Sequence, residues 1–239
     1  TKVIPIKKED FSFGRSLNYG CRSSNTNILV FISGHCIPTS KNWLLNLTKH
    51  FKNDIKYVYG RQIGGRDSFF SEKQIFNKYF KEKSTIPQKN IYCNNANSAI
   101  LTSTWREFKF DEDLTGLEDM YLAQQIMQDN MMVSYIPEAN VKHIHHENFR
   151  QIKNRYERES IALKWIIPNI KITFFEFIKI FFLFIISDFS AARKKKVFLK
   201  NFFSILFFRF AMSYGSYIGN SKSDKLSEKS KKIYFYPKY

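Results

Sequence analysis

The sequence has few cysteines, and they are poorly placed for cross-linking. Its 239 residues include 3 Cys, at positions 21, 36 and 93, and no two of them have the spacing of a CxxC motif. An odd number of thiols cannot pair completely. The pattern argues against a disulfide scaffold and against a zinc site built from cysteine, and it favours a reducing compartment.

Acidic residues are also scarce. The chain has 21 Asp and Glu against 38 Lys and Arg, a formal net charge of +17. Such a surface attracts polyanions, which could be nucleic acid, phosphorylated sugars or an anionic membrane. The sequence shows no RNP, KH or helix-turn-helix signature, and its cations lie beside Phe-rich segments. A membrane is therefore favoured over nucleic acid, and a basic protein that binds either one is kept as an alternative function.

Signal peptides, internal repeats and long apolar runs are missing as well. The chain opens with Thr1-Lys2-Val3, without an initiator Met, so we expect further residues before Thr1. Two apolar segments, Ile172–Ile186 and Val197–Met212, each cover less than the ~30 Å hydrocarbon core at ~1.5 Å per residue. We expect two helices lying in a membrane interface with snorkelling cations. The alternative is a helical hairpin packed against the protein itself.

The composition that is present fits a globular protein of the α/β class. Hydrophobic residues make up 44% of the chain and charged residues 25%. Residues 1–170 alternate between strand and helix patterns, which predicts a mostly parallel sheet flanked by helices. Strands are predicted at Ile28–Ile32, Tyr57–Tyr59, Ser98–Leu101 and Val133–Ile136, and helices at Arg15–Arg22, after Pro38 and at Phe69–Phe80. Residues 171–220 read as an amphipathic helical appendage, and residues 221–239 as a basic flexible tail.

An acidic pair stands at the predicted start of a helix. Thr115 and Glu118 have the spacing of a capping box, which gives Glu118 a structural explanation. Asp119 is harder to explain in this way, because apolar residues follow it at spacings of three, four and seven on the same helix face. Desolvation would raise the pKa of such a carboxyl group while the helix dipole opposes that change, so a base poised near neutrality can result.

A histidine cluster follows about twenty-five residues later, at positions 143, 145 and 146. In a strand, His143 and His145 face the same side, as two ligands of one group would. The sequence lacks the HExxH spacing of a hydrolytic zinc site, which disfavours a zinc hydrolase.

Four segments in this order resemble family 2 glycosyltransferases with the GT-A fold. Phe31–Pro38 (FISGHCIP) resembles their metal-binding loop, Cys93–Ile100 (CNNANSAI) an acceptor-side segment, and Phe110–Asp119 (FDEDLTGLED) the segment that ends in the catalytic acid pair. Ile136–Ala139 (IPEA), with the histidines, completes the order. The chain is similar to the bacterial rhamnosyltransferase-like branch, which builds surface polysaccharides. The resemblance implies a partial, Rossmann-like GT-A fold over about residues 10–165.

The resemblance also implies a reaction, an inverting transfer of a hexosyl or rhamnosyl unit from a nucleotide-sugar donor to a saccharide or lipid-linked acceptor. Asp119 would deprotonate the acceptor hydroxyl, and Glu118 would support it or hold the acceptor. His35, with His143 or His145, would complete the metal or diphosphate site.

The remaining candidate contacts to sugar, ribose or phosphate implied by the resemblance are Ser33, Arg61, Asn95 and Asn97. The implied protein is cytoplasmic and peripheral on the inner face of the cell membrane, with an anionic membrane surface as a further partner.

Two features depart from the family pattern. Ser33-Gly34-His35 stands where the family usually has Asp-x-Asp, and Mg²⁺ prefers carboxylate to imidazole. A divalent ion, Mn²⁺ or Mg²⁺, is therefore expected from the resemblance alone. Family members also begin with a strand, helix and strand that hold the nucleotide base, and this chain starts after them. A fragment of a longer enzyme is one expectation, and a non-catalytic, truncated remnant is the alternative.

Overall fold

The structure is a computed structural model that describes residues 2–52, 54–222, 226 and 228–235. The chain divides into two compact units. The sheet unit comprises Thr1–Gly65 and Lys78–Ile144, and the helical unit comprises Arg66–Asn77 and His145–Tyr239. The predicted tail at residues 221–239 lies in part outside the described residues.

A five-stranded sheet forms the centre of the sheet unit. Its strands are β1 (Ile28–Ile32), β2 (Cys36–Pro38), β3 (Ile55–Gly64), β4 (Asn97–Leu101) and β5 (Met132–His143), and they are ordered β1-β4-β3-β5-β2. Among the described residues, only β3 and β5 pair in parallel, and the other three pairings are antiparallel. The expectation of a mostly parallel sheet is therefore wrong, and the sheet is mixed. Short apolar runs form ladders in either direction, so the sequence of a strand does not determine its orientation.

Four of the five strands contain the positions predicted for them, whereas β2 is not among the predicted strands. Ile28–Ile32 is a strand with the expected bounds, yet Ile32 is 42% exposed. The reason is its place at an edge of the sheet, where a strand has one neighbour rather than two. β5 continues well past the predicted end at Ile136, through Pro137 to His143.

Four helices accompany the sheet. They are α1 (Phe13–Arg22), α2 (Trp43–Thr48), α4 (Thr102–Phe108) and α5 (Glu118–Gln128). Ser12 caps α1, since its side chain accepts a hydrogen bond from the Arg15 N–H at 3.2 Å. Leu47 of α2 is fully buried in a cluster with Val58 of β3 and Ile136 of β5. Such burial stabilises the fold by about 1.5–3 kcal/mol for each large side chain.

The helical unit contains α6 (Phe149–Ile166), α7 (Phe174–Lys194), α8 (Phe198–Ser221) and α9 (Glu228–Phe235), and α3 (Phe70–Tyr79) belongs to it through Asn77. Helix α8 approaches α6 closely at two glycines. A Cβ atom on Gly219 would lie 2.1 Å from the Glu157 carbonyl oxygen, and one on Gly215 would lie 2.3 Å from that of Lys153. Only glycine fits at these positions while the two backbones remain this close.

The two apolar segments form α7 and α8. Glu176 closes a capping box with Thr173 at the start of α7. Arg209 of α8 is paired through two hydrogen bonds, at 2.7 and 2.8 Å, with Asp188 of α7, and both side chains are buried. Within the part of the chain that the structure describes, no helix is both long enough and apolar enough to cross a membrane.

Candidate active site

Asp119 lies in the first turn of α5. The helix begins at Glu118, and its N-cap is Leu117, which adopts a left-handed conformation with φ of 58°. Glu118 is thus the first helical residue rather than the third, as a capping box with Thr115 would require. The Asp119 carboxylate accepts hydrogen bonds from the Asn95 N–H at 2.7 Å and the Met120 N–H at 2.8 Å. Each carboxylate oxygen thus accepts one backbone hydrogen bond at the N-terminal end of α5.

Asp119 is 7% exposed, and its charge acts on neighbouring groups. Burial raises the pKa of the Cys93 thiol well above its usual range, and the negative charge of Asp119 raises it further. The phenol of Tyr57 behaves in the same way, with burial as the larger cause. Its O–H donates to Asn95 Oδ1 at 2.5 Å, so the Asn95 residue contacts Asp119 through its backbone and Tyr57 through its side chain.

The imidazoles of His35 and His143 stack on each other, with ring centroids 4.7 Å apart and planes at 27°. They meet because β2 pairs with the end of β5, where Cys36 lies opposite His143. His143 is 6% exposed, whereas His35 is exposed. The Ser33 Oγ lies 3.2 Å from both ring nitrogens of His35. Loop 33–35 and the last residue of β5 therefore form one cluster.

His145 belongs to the helical unit. β5 ends at His143, so strand alternation does not extend to His145, whose Nδ1 lies 2.6 Å from Glu72 Oε1. Nitrogen and oxygen atoms of Glu72, His145 and Glu147 lie within 4.8 Å of one another. The Arg155 guanidinium bonds both carboxylates, at 3.2 Å from Glu72 and 2.5 Å from Glu147. One guanidinium cation thus already pairs with both carboxylates of this cluster.

A polar network joins the histidine cluster to Asp119, and its central member is a residue that sequence reasoning missed. The Gln62 Oε1 lies 2.6 Å from His143 Nδ1, and its Nε2 donates to Asn94 Oδ1 at 2.9 Å. Asn94 precedes Asn95, whose N–H bonds Asp119. Gln62 is 1% exposed within β3. In the sequence, the sign of a functional role was an amide side chain next to Arg61 and close to a predicted strand.

Asn97 and Arg61, two other predicted contact residues, have different hydrogen-bond partners. Asn97 is 0% exposed, and its amide bonds the Trp43 indole and the carbonyl oxygens of Arg61 and Ala139. Its side chain thus holds strands together. The Arg61 guanidinium bonds Glu82 at 3.0 Å.

The donor set of the histidine cluster suits some metal ions better than others. Imidazole nitrogen suits Zn²⁺, Fe²⁺ and related transition-metal ions best, Mn²⁺ binds it less strongly, and Mg²⁺ prefers oxygen ligands. His35 and His143 offer nitrogen, and Ser33 offers a neutral hydroxyl. These residues fit Mn²⁺ better than Mg²⁺.

No family model matches the sequence. Two curated relatives are similar to the sequence. They are the O-antigen chain rhamnosyltransferases of Salmonella typhimurium and Salmonella anatum. Each is 25% identical over 166 residues, which cover 64% of this chain and 53% of the relative. The chain therefore spans about half the length of the relatives it matches.

Among solved structures, the mannosyltransferase PcManGT from Pyrobaculum calidifontis, in complex with GDP-Man and Mn²⁺, has a similar fold. The match has a TM-score of 0.50 and 14% identity, and it covers 87% of this chain and 64% of the other. These comparisons support a glycosyltransferase with a mixed α/β fold.

Proposed function

We propose that the protein is an inverting glycosyltransferase. It moves a sugar, of the hexosyl or rhamnosyl type, from a nucleotide-sugar donor to a saccharide or lipid-linked acceptor in the synthesis of a bacterial surface polysaccharide. The observation that carries the proposal is the 166-residue similarity to two O-antigen chain rhamnosyltransferases. The matched region is about half of each relative, so the activity proposed is that of the whole protein.

Asp119 is the proposed base of a single displacement. It takes the proton of the acceptor hydroxyl, whose oxygen forms the new bond to the anomeric carbon as the bond to the nucleoside diphosphate breaks. Two backbone N–H groups hold the carboxylate in place before any substrate binds. Glu118, one residue earlier in α5, is the proposed second acid that holds the acceptor.

The histidine cluster is the proposed diphosphate side of the site. His35 and His143 would hold a divalent ion such as Mn²⁺, with Ser33 beside them. A bound divalent ion supplies positive charge that stabilises the leaving diphosphate. Arg61 and Asn95 are the proposed contacts to sugar or phosphate.

The decisive test compares Asp119→Asn with Asp129→Asn. Both are carboxylate-to-amide changes at helix α5, and Asp129 is the exposed C-cap at its other end. Purified protein is incubated with a panel of nucleotide sugars and Mn²⁺, and the release of nucleoside diphosphate is measured. We expect Asp119→Asn to lower the rate by about a hundredfold or more and Asp129→Asn to leave it unchanged. Equal inertness of the wild type and both variants would instead favour a non-catalytic remnant.

We also propose that the protein is peripheral on the inner, cytoplasmic face of the cell membrane, bound through α7 and α8. Large apolar side chains are exposed along both helices. They are Phe174, Phe175, Phe182, Leu183 and Ile186 on α7, and Leu199, Phe203, Phe207 and Phe210 on α8. On α8, residues 199, 203, 207 and 210 recur at spacings of four, four and three, which is one face of a helix.

Cations accompany these apolar side chains. The exposed run Arg193-Lys194-Lys195-Lys196 covers the last two residues of α7 and the first two residues of the connection to α8. Lys179 in α7 and Lys200 in α8 are also exposed. Apolar side chains that enter the interface and cations that attract anionic headgroups act together in such binding.

A further inference from the structure

A cavity of about 420 Å³ lies in the sheet unit, within the size range of small-molecule sites. Its walls come from the end of α3, the 81–92 segment, β3, β5 and the first turn of α5. Tyrosines and amides are prominent in the lining, which includes Tyr59, Tyr79, Tyr92, Tyr135, Gln88 and Asn90. None of the roles proposed above involves this cavity.

Gln88 gives the cavity a defined hydrogen-bonding character. Its Nε2 donates to the carbonyl oxygens of Asn90, at 2.7 Å, and Tyr92, at 2.6 Å. Two carbonyl acceptors require the NH₂ end of the amide, so the orientation of the side chain is fixed. Gln88 is 5% exposed, and its Oε1 has no hydrogen-bond partner among the described residues. A buried acceptor of this kind is available to a hydrogen-bond donor that enters the cavity, either a water molecule or a group of a ligand.

The cavity lies next to the proposed base. Met120 lines it and directly follows Asp119 in α5. Tyr92 lines it three residues before Asn95, whose N–H bonds the Asp119 carboxylate. The cavity is therefore lined by near neighbours, in the chain, of Asp119 and of its partner Asn95, while the Asp119 side chain itself is not among the lining residues.

The tyrosines supply apolar surface beside these polar atoms. The rings of Tyr79 and Tyr92 stack with centroids 5.0 Å apart and planes at 12°. Tyr79 is 46% exposed, so part of this pair faces solvent. A tyrosine offers an apolar ring face and a polar hydroxyl, and a sugar ring likewise combines C–H faces with hydroxyl donors.

We propose that this cavity binds the sugar unit of the acceptor, with a hydroxyl donating to Gln88 Oε1 and the ring against Tyr79. The identification of this sugar as the acceptor rests on the proposed glycosyl transfer, because the cavity chemistry itself indicates only a sugar ring. It makes Tyr79 and Gln88 determinants of acceptor recognition.

The test is direct sugar binding by NMR, using methyl α-rhamnoside, methyl α-mannoside and methyl α-galactoside as probes and uridine and guanosine as competitors. At least one glycoside is expected to bind and to shift the side-chain amide signal of Gln88. Tyr79→Ala should weaken that binding by about fivefold, and Tyr79→Phe should restore it because the ring is kept. The matched control is Tyr19→Ala, since Tyr19 is 37% exposed in the same unit and does not line the cavity.

Binding and catalysis fail in different ways. A glycoside that binds through Tyr79 in a protein without transferase activity would retain the sugar site and reject the proposed function. Active protein in which Tyr79→Ala and Tyr19→Ala bind glycosides equally would reject the sugar site alone. The cavity proposal is also overturned if no glycoside shifts the Gln88 signal, or if a nucleoside displaces the glycoside. A thermal melt of each variant verifies that it is folded.

Discussion

The Oε1 of Gln62 lies 2.6 Å from the Nδ1 of His143, and the backbone determines which of the two atoms donates. The Ala96 N–H donates to Asn94 Oδ1 at 3.0 Å, so this oxygen is an acceptor. Gln62 Nε2 donates to the same oxygen, and its Oε1 must then accept from His143. A neutral His143 is held with its proton on Nδ1 and a lone pair on Nε2.

The first prediction concerns this tautomer. Replacement of Gln62 by Met keeps the volume but removes the acceptor, so His143 should lose its preference for a proton on Nδ1. Long-range ¹H–¹⁵N NMR of the metal-free protein reports the tautomer directly. The affinity for Mn²⁺ should also fall, by about ten- to a hundredfold.

Gln128→Met is the control for this change, because Gln128 is exposed at the end of α5. Asn94→Asp should retain the wild-type tautomer, since a carboxylate oxygen still accepts from Gln62. An unchanged NMR signal in Gln62→Met would show that Gln62 does not orient His143.

The second prediction concerns the proposed membrane contact. Phe175 and Phe203 are 83% and 80% exposed, and their joint replacement by Ser should weaken binding to vesicles containing phosphatidylglycerol. Both aromatic rings would be buried in the membrane interface on binding. Their loss should lower the partition coefficient by about tenfold or more, measured by co-sedimentation.

Leu45→Ser serves as the control for the vesicle experiment, because Leu45 is 60% exposed in the sheet unit. Equal binding by the double variant and the wild type would count against α7 and α8 as the docking surface. Salt-sensitive binding to DNA, without binding to vesicles, would favour the nucleic-acid alternative.

A third prediction compares two glycines. Gly219→Ala places a methyl group 2.1 Å from the Glu157 carbonyl oxygen, and backbone at that position cannot move aside without separating α6 and α8. The free energy of unfolding should fall by about 2 kcal/mol or more, measured by urea denaturation. Gly20→Ala in α1 meets nothing within 4 Å and should be neutral or stabilising by up to about 1 kcal/mol. Equal effects in both variants would contradict the close approach.

The fourth prediction concerns acid stability. Burial raises the pKa of the Glu157 carboxyl, but hydrogen bonds from Lys153, Lys222 and Tyr234 outweigh it, so the pKa lies below its usual 4.5. A carboxyl group whose pKa is lower in the folded state stabilises the fold at pH values above its unfolded-state pKa. This stabilisation is lost as the pH falls through the folded-state pKa. Glu157→Gln should therefore lower the melting temperature at pH 7, and the difference from the wild type should shrink below pH 4.5. A difference that is constant with pH would contradict this role.

Local elements could be read from the sequence because their signals are local. Ser12 caps α1 through a hydrogen bond three residues away, and the apolar run Ile28–Ile32 forms a strand whatever its neighbours are. The order of strands was not predictable in this way. β4 lies between β1 and β3, although β2 and β3 come between β1 and β4 along the chain.

The candidate site was predictable in part for the same reason. Asp119 and His143 stand out by residue type and by the motifs around them, whereas Gln62 and Gln88 are single amides without a motif. The importance of Gln62 comes from a partner distant in sequence, His143, which is 81 residues away. The importance of Gln88 comes from the cavity that it lines together with residues of β3 and β5.

The sequence by itself determined several helices, four of the five strand positions, the excess of positive charge and the residue types that point to glycosyl transfer. Tertiary structure decided the direction of the strands, the stacking of His35 on His143 and the polarity of the Gln62 hydrogen bond. Propensity, capping and charge depend on near neighbours in the chain. Strand pairing and buried hydrogen bonds depend on which distant segments pack together, and that choice is made only when the whole unit folds.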